Sequence, residues 1–141
     1  MISKILVAVD GSTPAEKALD YAIELARKTS NSILIINVIE EFGELMNRWK
    51  EHDDFVKDLK RERTAMLDKY ESRVKEAGIK NVRIIRAEGN AAEKILQIAE
   101  DKKIDTIILG SRGLGTAKEF LLGSVSHNVI HHAKCSVIIA K

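Results

Sequence analysis

The apolar residues of this chain follow two alternating rhythms. Five short runs rich in Ile, Val and Leu, at residues 5–9, 32–39, 82–87, 106–109 and 136–140, have the pattern of strands buried on both faces of a parallel sheet. Between them apolar residues recur three and four positions apart. Ala15, Ala18, Leu19, Ala22 and Ala26 form one such set, and Leu59, Met66, Leu67, Tyr70 and Val74 a second. Ile95, Ile98 and Ala99 make a third, and Val125, Val129, Ile130 and Ala133 a fourth. Each set marks one face of a helix.

The punctuation between these segments agrees with their periods. Thr13-Pro14-Ala15-Glu16 reads as an N-cap threonine, a proline at the first helical position and a glutamate at N3. Gly78 stands at the C′ position of the second helix, and Asn90-Ala-Ala-Glu93 caps the third. Residues 40–62 are highly charged, with Phe42, Leu45, Trp49 and Phe55 scattered among them. They read as a partly helical excursion in which Trp49 and Phe55 make half-buried helix contacts. The resulting order is βαβαβαβαβ, which predicts an α/β fold with right-handed crossovers and helices on both faces of a parallel sheet.

Length and composition narrow the picture. A chain of 141 residues is most naturally one domain, spanning 1–141, with a single core and no need of staples. Its 23 basic and 21 acidic residues are too balanced to favour a polynucleotide or an anionic membrane. The single cysteine, Cys135, excludes an intramolecular disulfide and reads as a small buried hydrophobe. No stretch approaches the roughly 18 apolar residues of a membrane span. The first apolar run meets Asp10 too early for a signal segment, so a cytoplasmic protein is expected.

Candidate chemistry lies where the fourth strand ends. Gly110, Gly113, Gly123 and Ser124 form a G-x2-G-x9-G-S pattern. Glycines supply positive φ and close backbone approach, and Ser124 opens a helix whose first N–H groups lack partners. This is a setting for a phosphate. Asp10 ends the first strand, and if strands 1 and 4 are neighbours, Asp10, Val38 and the Gly110 loop share one pocket.

Other phosphate motifs fail against the residues. There is no G-x4-G-K-[ST], and Lys118 occupies the place of the third glycine in a dinucleotide fingerprint beginning at Gly113. The bland readings stand beside the sharp ones. The glycines also suit a long β-to-α connection, Ser124 a helix cap, Asp10 a turn before Gly11, and Ser12 a loop or cap residue. Arg112 and Lys118 also suit solvated loop charges. His127 and His131 have metal-binding spacing but lack a Glu-x-x-His context, and they read with His132 as solvated or core-edge residues.

The sequence resembles the universal stress protein family, specifically its ATP-binding branch, over nearly the whole chain. The resemblance is carried by Ile5-Leu-Val-Ala-Val-Asp-Gly-Ser12, by Gly110-Ser-Arg-Gly113 through Leu121-Leu-Gly-Ser-Val-Ser126, and by His132-Ala-Lys-Cys-Ser-Val137. It implies a single-domain, flavodoxin-like, doubly wound sandwich of the adenine nucleotide alpha hydrolase-like type, with five parallel strands in order 3-2-1-4-5. It implies ATP as ligand, with Mg²⁺ or Mn²⁺ bridging its phosphates. Asp10 would contact the nucleoside, Val38 would present its backbone to adenine, and Gly110 would lie against the ribose. Gly113, Gly123, Ser124, Val125 and Ser126 would wrap the phosphates. It also implies a homodimer paired through Ser136 to Ala140. Ser136 departs from the proline that often follows the cysteine, and residues 40–62 match no family pattern.

The function expected is that of a nucleotide-dependent regulatory switch in stress response, with slow ATP hydrolysis open. A small ATP-hydrolysing or phosphotransfer enzyme, or a nucleotide-free dimeric interaction module, are the alternatives. No catalytic base beside the phosphate site stands out.

Overall fold

The computed structural model describes residues 2–29, 32–40, 53–112 and 122–141, the side chains of residues 53, 55 and 56 excepted. The expectations for Phe42, Leu45, Trp49, the Phe55 side chain, Gly113 and Lys118 lie outside the described residues. The described elements are β1 (Ile5–Ala8), α1 (Thr13–Lys28), β2 (Ser32–Ile39), α2 (Asp53–Glu76), β3 (Asn81–Glu88), α3 (Ala91–Asp101), β4 (Thr106–Gly110), α4 (Ser124–His132) and β5 (Ser136–Ala140). All strand pairs are parallel, in the order β3-β2-β1-β4-β5. The fold is therefore the doubly wound α/β sandwich that the resemblance implies.

Two apolar layers sandwich the sheet, and strand alternation sorts residues between them. Ile5, Val7, Ile33, Ile35 and Ile108 pack with Ala15, Ala18, Leu19 and Ala22 of α1 and with Leu67, Tyr70 and Val74 of α2. Leu6, Ile36, Ile107 and Leu109 face the other way, toward Ala92, Ile95 and Ala99 of α3 and Val129 of α4. The four alanines of α1 bring its backbone close to the sheet. Leu67 is fully buried, and its transfer from water contributes about 1.5–3 kcal/mol. An ion pair between Arg73 and Asp20 joins α2 to α1 on the surface, where such pairs contribute about 0–1 kcal/mol.

Helices α2 and α3 end and begin, respectively, at the residues their local signals predict, and α1 begins one residue earlier. The cap of α1 is Ser12, not Thr13: its hydroxyl accepts from Ala15 N–H at 3.3 Å. Pro14 lies within the first turn and has no N–H, so the cap bond falls on the next residue. Asn90 caps α3 through Glu93 N–H at 3.0 Å, as its spacing predicts. Gly78 closes α2 with φ +90°, a conformation open to glycine at little cost.

At the edge of the sheet opposite the strand C-termini, Asp105 ties the start of β1 to the start of β4. Its carboxylate accepts from Ser3 N–H (2.8 Å), Lys4 N–H (2.9 Å) and Ser3 Oγ (3.0 Å). Partial burial pushes its pKa up, but these donors outweigh burial and hold it below the ordinary carboxylate value. A carboxylate of lowered pKa stabilises the fold at neutral pH and loses that contribution as pH falls through its folded value. Asp105→Asn should therefore lower the urea midpoint clearly at pH 7 and much less near pH 3; an equal gap at both would exclude this linkage.

Gly110 is explained by packing. A Cβ there would lie 2.7 Å from Pro14 Cβ and 2.8 Å from the Pro14 carbonyl carbon. The first turn of α1 thus rests directly on the end of β4. Gly110→Ala should cost about 1–3 kcal/mol through overpacking, read as a lower urea midpoint with unchanged far-ultraviolet dichroism.

Candidate functional site

A crevice opens where β1, β2 and β4 end. β1 stops at Ala8, and only Val9 N–H continues its ladder, donating to Ile36 C=O at 2.9 Å. The chain then turns through Asp10, whose Oδ1 accepts from Ser12 N–H at 2.9 Å. The cavity has a volume of about 580 Å³, within the range of small-molecule sites. Its walls include Asp10, Val38, Gly110, Gly123, Ser124, Val125 and Ser126. Every described residue that the resemblance places at a nucleotide is therefore on one cavity.

One end of the cavity is built by α4. Gly123 is its N-cap, with φ −63° and ψ 161° and no side-chain cap bond, and Ser124 is the first helical residue. The first bond of the helix runs from His127 N–H to Gly123 C=O at 3.0 Å. The N–H groups of Ser124, Val125 and Ser126 precede that bond and gather the positive end of the helix dipole. Neither Gly110 nor Gly123 has positive φ. The reason expected for these two glycines is thus corrected: close approach applies at Gly110, and left-handed backbone at neither.

The side chain of Ser126 is engaged within the protein. Its buried hydroxyl lies 3.0 Å from both Ser111 C=O and Gly123 C=O. Gly123 N–H donates to the same Ser111 carbonyl at 2.8 Å, and Ser111 N–H donates to Ala140 C=O at 2.8 Å. The start of α4 is stitched to the ends of β4 and β5. Only the backbone of Ser126 remains for an anion.

The opposite end of the cavity is formed by Val38. In a parallel ladder, residues two apart direct both backbone groups to the same neighbour. Ile36 faces β1, so Val38 faces that side too, where β1 has ended. The next ladder acceptor, Val9 C=O, is taken by the Asn37 side-chain Nδ2 at 2.7 Å. The backbone of Val38 is thereby turned into the cavity, beside apolar Ile39, Leu59, Met66 and Ile95.

Asn37 and Arg63 were not singled out from the sequence. Arg63 of α2 donates through Nε to Asn37 Oδ1 (2.5 Å) and through Nη2 to Asn37 C=O (2.9 Å) and Ala87 C=O (3.3 Å). Burial, then Arg86, lowers its pKa, while Glu88 opposes them. Both residues had a readable signal: Asn37 interrupts an apolar strand, and Arg63 lies four positions from Leu59 and from Leu67, inside the apolar stripe. Arg112 also lines the cavity. The rings of His127 and His131 lie 4.5 Å apart between centres, tilted by 58° to each other, and among the described residues no group of three or more His, Cys, Asp or Glu side chains is placed to hold a metal. Among them, too, no helix is long and apolar enough to cross a membrane.

A doubly wound sheet with a helix N-terminus and a backbone edge facing each other across its switch-point crevice defines the class of α/β protein to which this chain belongs. The chain belongs to the universal stress protein family, whose sequence profile matches residues 1–141. It is 34% identical to universal stress protein YxiE of Bacillus subtilis, with 100% of each chain covered. Among solved structures, it is similar to the hypothetical protein MJ0577, with TM-score 0.86, 31% identity, and 100% of this chain and 96% of the other covered. A universal stress family protein of Arabidopsis thaliana, solved with AMP bound, matches with TM-score 0.72 at 25% identity, covering 99% of this chain and 91% of the other.

The stitch at Ser126 is testable by itself. Ser126→Ala leaves buried carbonyls without their hydroxyl and should cost about 1 kcal/mol in urea denaturation. Unaltered stability would show that the hydroxyl does not hold α4 in place.

Proposed function

We propose that this chain is an ATP-binding regulatory protein, a nucleotide-dependent switch in stress response. The observation that carries the reading is the pairing of two backbone surfaces across one cavity: the leading N–H groups of α4 at one end and the Val38 edge at the other. The first suits phosphates and the second suits a base. The AMP bound to the Arabidopsis relative supports an adenine nucleotide as the ligand class.

In this reading Val38 meets the adenine, Asp10 the nucleoside and Gly110 the ribose. Gly123, Ser124, Val125 and Ser126 supply the phosphate seat, together with Gly113. Mg²⁺ or Mn²⁺ would accompany the phosphates and offset their charge. Oxygen donors of the kind these ions prefer are present in the walls, in the Asp10 carboxylate and the Ser124 hydroxyl. Asp10 is engaged by Ser12 N–H, which suits a residue that positions a ligand. We therefore read the pocket as one that holds nucleotide as a signal. A cytoplasmic setting follows from that ligand. The outer edge of β5 (Ser136–Ala140) lies at the border of the sheet with Ile138 exposed, and we assign it to pairing with a second copy.

Native mass spectrometry of the purified chain with Mg²⁺ and ATP reports bound nucleotide and subunit number together. Gly123→Val is the matched variant: φ −63° accommodates valine, while the side chain crowds the phosphate seat. ATP affinity by equilibrium dialysis should fall about 100-fold or more, equivalent to about 2.7 kcal/mol, with the fold kept. Unchanged affinity would remove the phosphate seat from this end of α4.

A further inference from the structure

We propose that Arg63 and Asn37 are positioning residues for base recognition: the Arg63 guanidinium fixes the Asn37 amide so that it takes the Val9 carbonyl, leaving the Val38 N–H and C=O open to the Watson–Crick edge of adenine. The inference rests on the nucleotide reading above and extends it to two residues of the cavity wall that act through Val38.

The argument is one of donors and acceptors. Arginine only donates, so the Asn37 atom that meets Nε at 2.5 Å is the carbonyl oxygen, and the amide nitrogen necessarily turns the other way. There it reaches Val9 C=O at 2.7 Å. Without it, that carbonyl is the acceptor the ladder would give to Val38 N–H. The side chain of Asn37 shares the face of Ile33 and Ile35, the face covered by α2, and so meets Arg63; both residues line the cavity with Val38, but their polar groups are engaged with each other and with main-chain carbonyls, whereas the Val38 backbone is left open there. Arg63 also spans the ends of β2 and β3 by bonding Asn37 C=O and Ala87 C=O. It thereby holds β2 in register with β3 while β1 parts from it.

Adenine presents an amino donor and a ring-nitrogen acceptor side by side, and guanine presents the reverse order. With the phosphates fixed at α4, an extended residue offering one acceptor and one donor accepts a single order. The clamp therefore acts on base selectivity, which a purely structural residue would not change.

The test is hydrogen exchange on the full chain by NMR, with ATP and GTP dialysis alongside. In the ligand-free protein the Val38 amide should exchange at least tenfold faster than that of Ile36, and Mg²⁺-ATP, but not Mg²⁺-GTP, should protect it. Asn37→Leu should make the Val38 amide protected without ligand and reduce the ATP-to-GTP affinity ratio about tenfold. Arg63→Met should do the same in part, with Arg63→Lys recovering some of the ratio. A Val38 amide as protected as Ile36 in the wild type overturns the inference, as does an Asn37→Leu protein with unchanged exchange and ratio. If ATP binds yet leaves the Val38 amide exchanging as before, this inference alone falls. If no ATP binds at all, the nucleotide reading fails and takes this inference with it.

Discussion

The handedness of parallel crossovers is the constraint from which the rest of this molecule follows. A strand, helix, strand unit closes right-handed, so a chain that steps from β1 to β2 to β3 lays α1 and α2 on one face. When it returns past β1 to β4 and then β5, α3 and α4 must lie on the other. The segments after β1 and β4 therefore leave neighbouring strands in opposite directions. A gap opens between them that no side chain is obliged to fill, and the cavity occupies it. The site is a consequence of topology before any residue specialises it.

Most of the fold was legible because buried strands and amphipathic helices have different periods, and because Asn90, Gly78 and the Pro14 turn mark boundaries chemically. One boundary is shifted because two residues compete for one role. Ser12 and Thr13 are both good caps, and the helix begins one residue earlier than expected, with Glu16 N–H bonding Ser12 C=O and Thr13 already helical; the missing N–H of Pro14 then leaves Ala15 as the donor to the Ser12 hydroxyl. The candidate site was legible at its α4 end, since a strand end followed by a helix start is a local pattern. Val38 could be placed with it only on the condition that strands 1 and 4 are neighbours, which the sheet order fulfils. Asn37 and Arg63 were not legible, because they meet only when α2 is laid across the sheet.

The glycines separate two properties that the expectation joined, positive φ and close backbone approach. Neither Gly110 nor Gly123 has positive φ. Gly110 makes room for the first turn of α1, which comes within 3 Å of where its Cβ would be, and Gly123 caps α4 in an ordinary extended conformation. At Gly110 absence of bulk, rather than freedom of φ, shapes the cavity wall. The same economy appears in the serines: Ser12 and Ser126 use their hydroxyls to fix helix starts, which places the adjoining main chain at the crevice.

The stitch between Ser111 and the first turn of α4 has a consequence for how this protein can change. Ser111 C=O receives Gly123 N–H and faces the Ser126 hydroxyl, and Ser111 N–H is held in turn by Ala140 C=O. The first turn of α4 is thereby carried by the ends of two strands, so any shift of that turn has to break bonds to the sheet before it can move the helix end that lines the cavity.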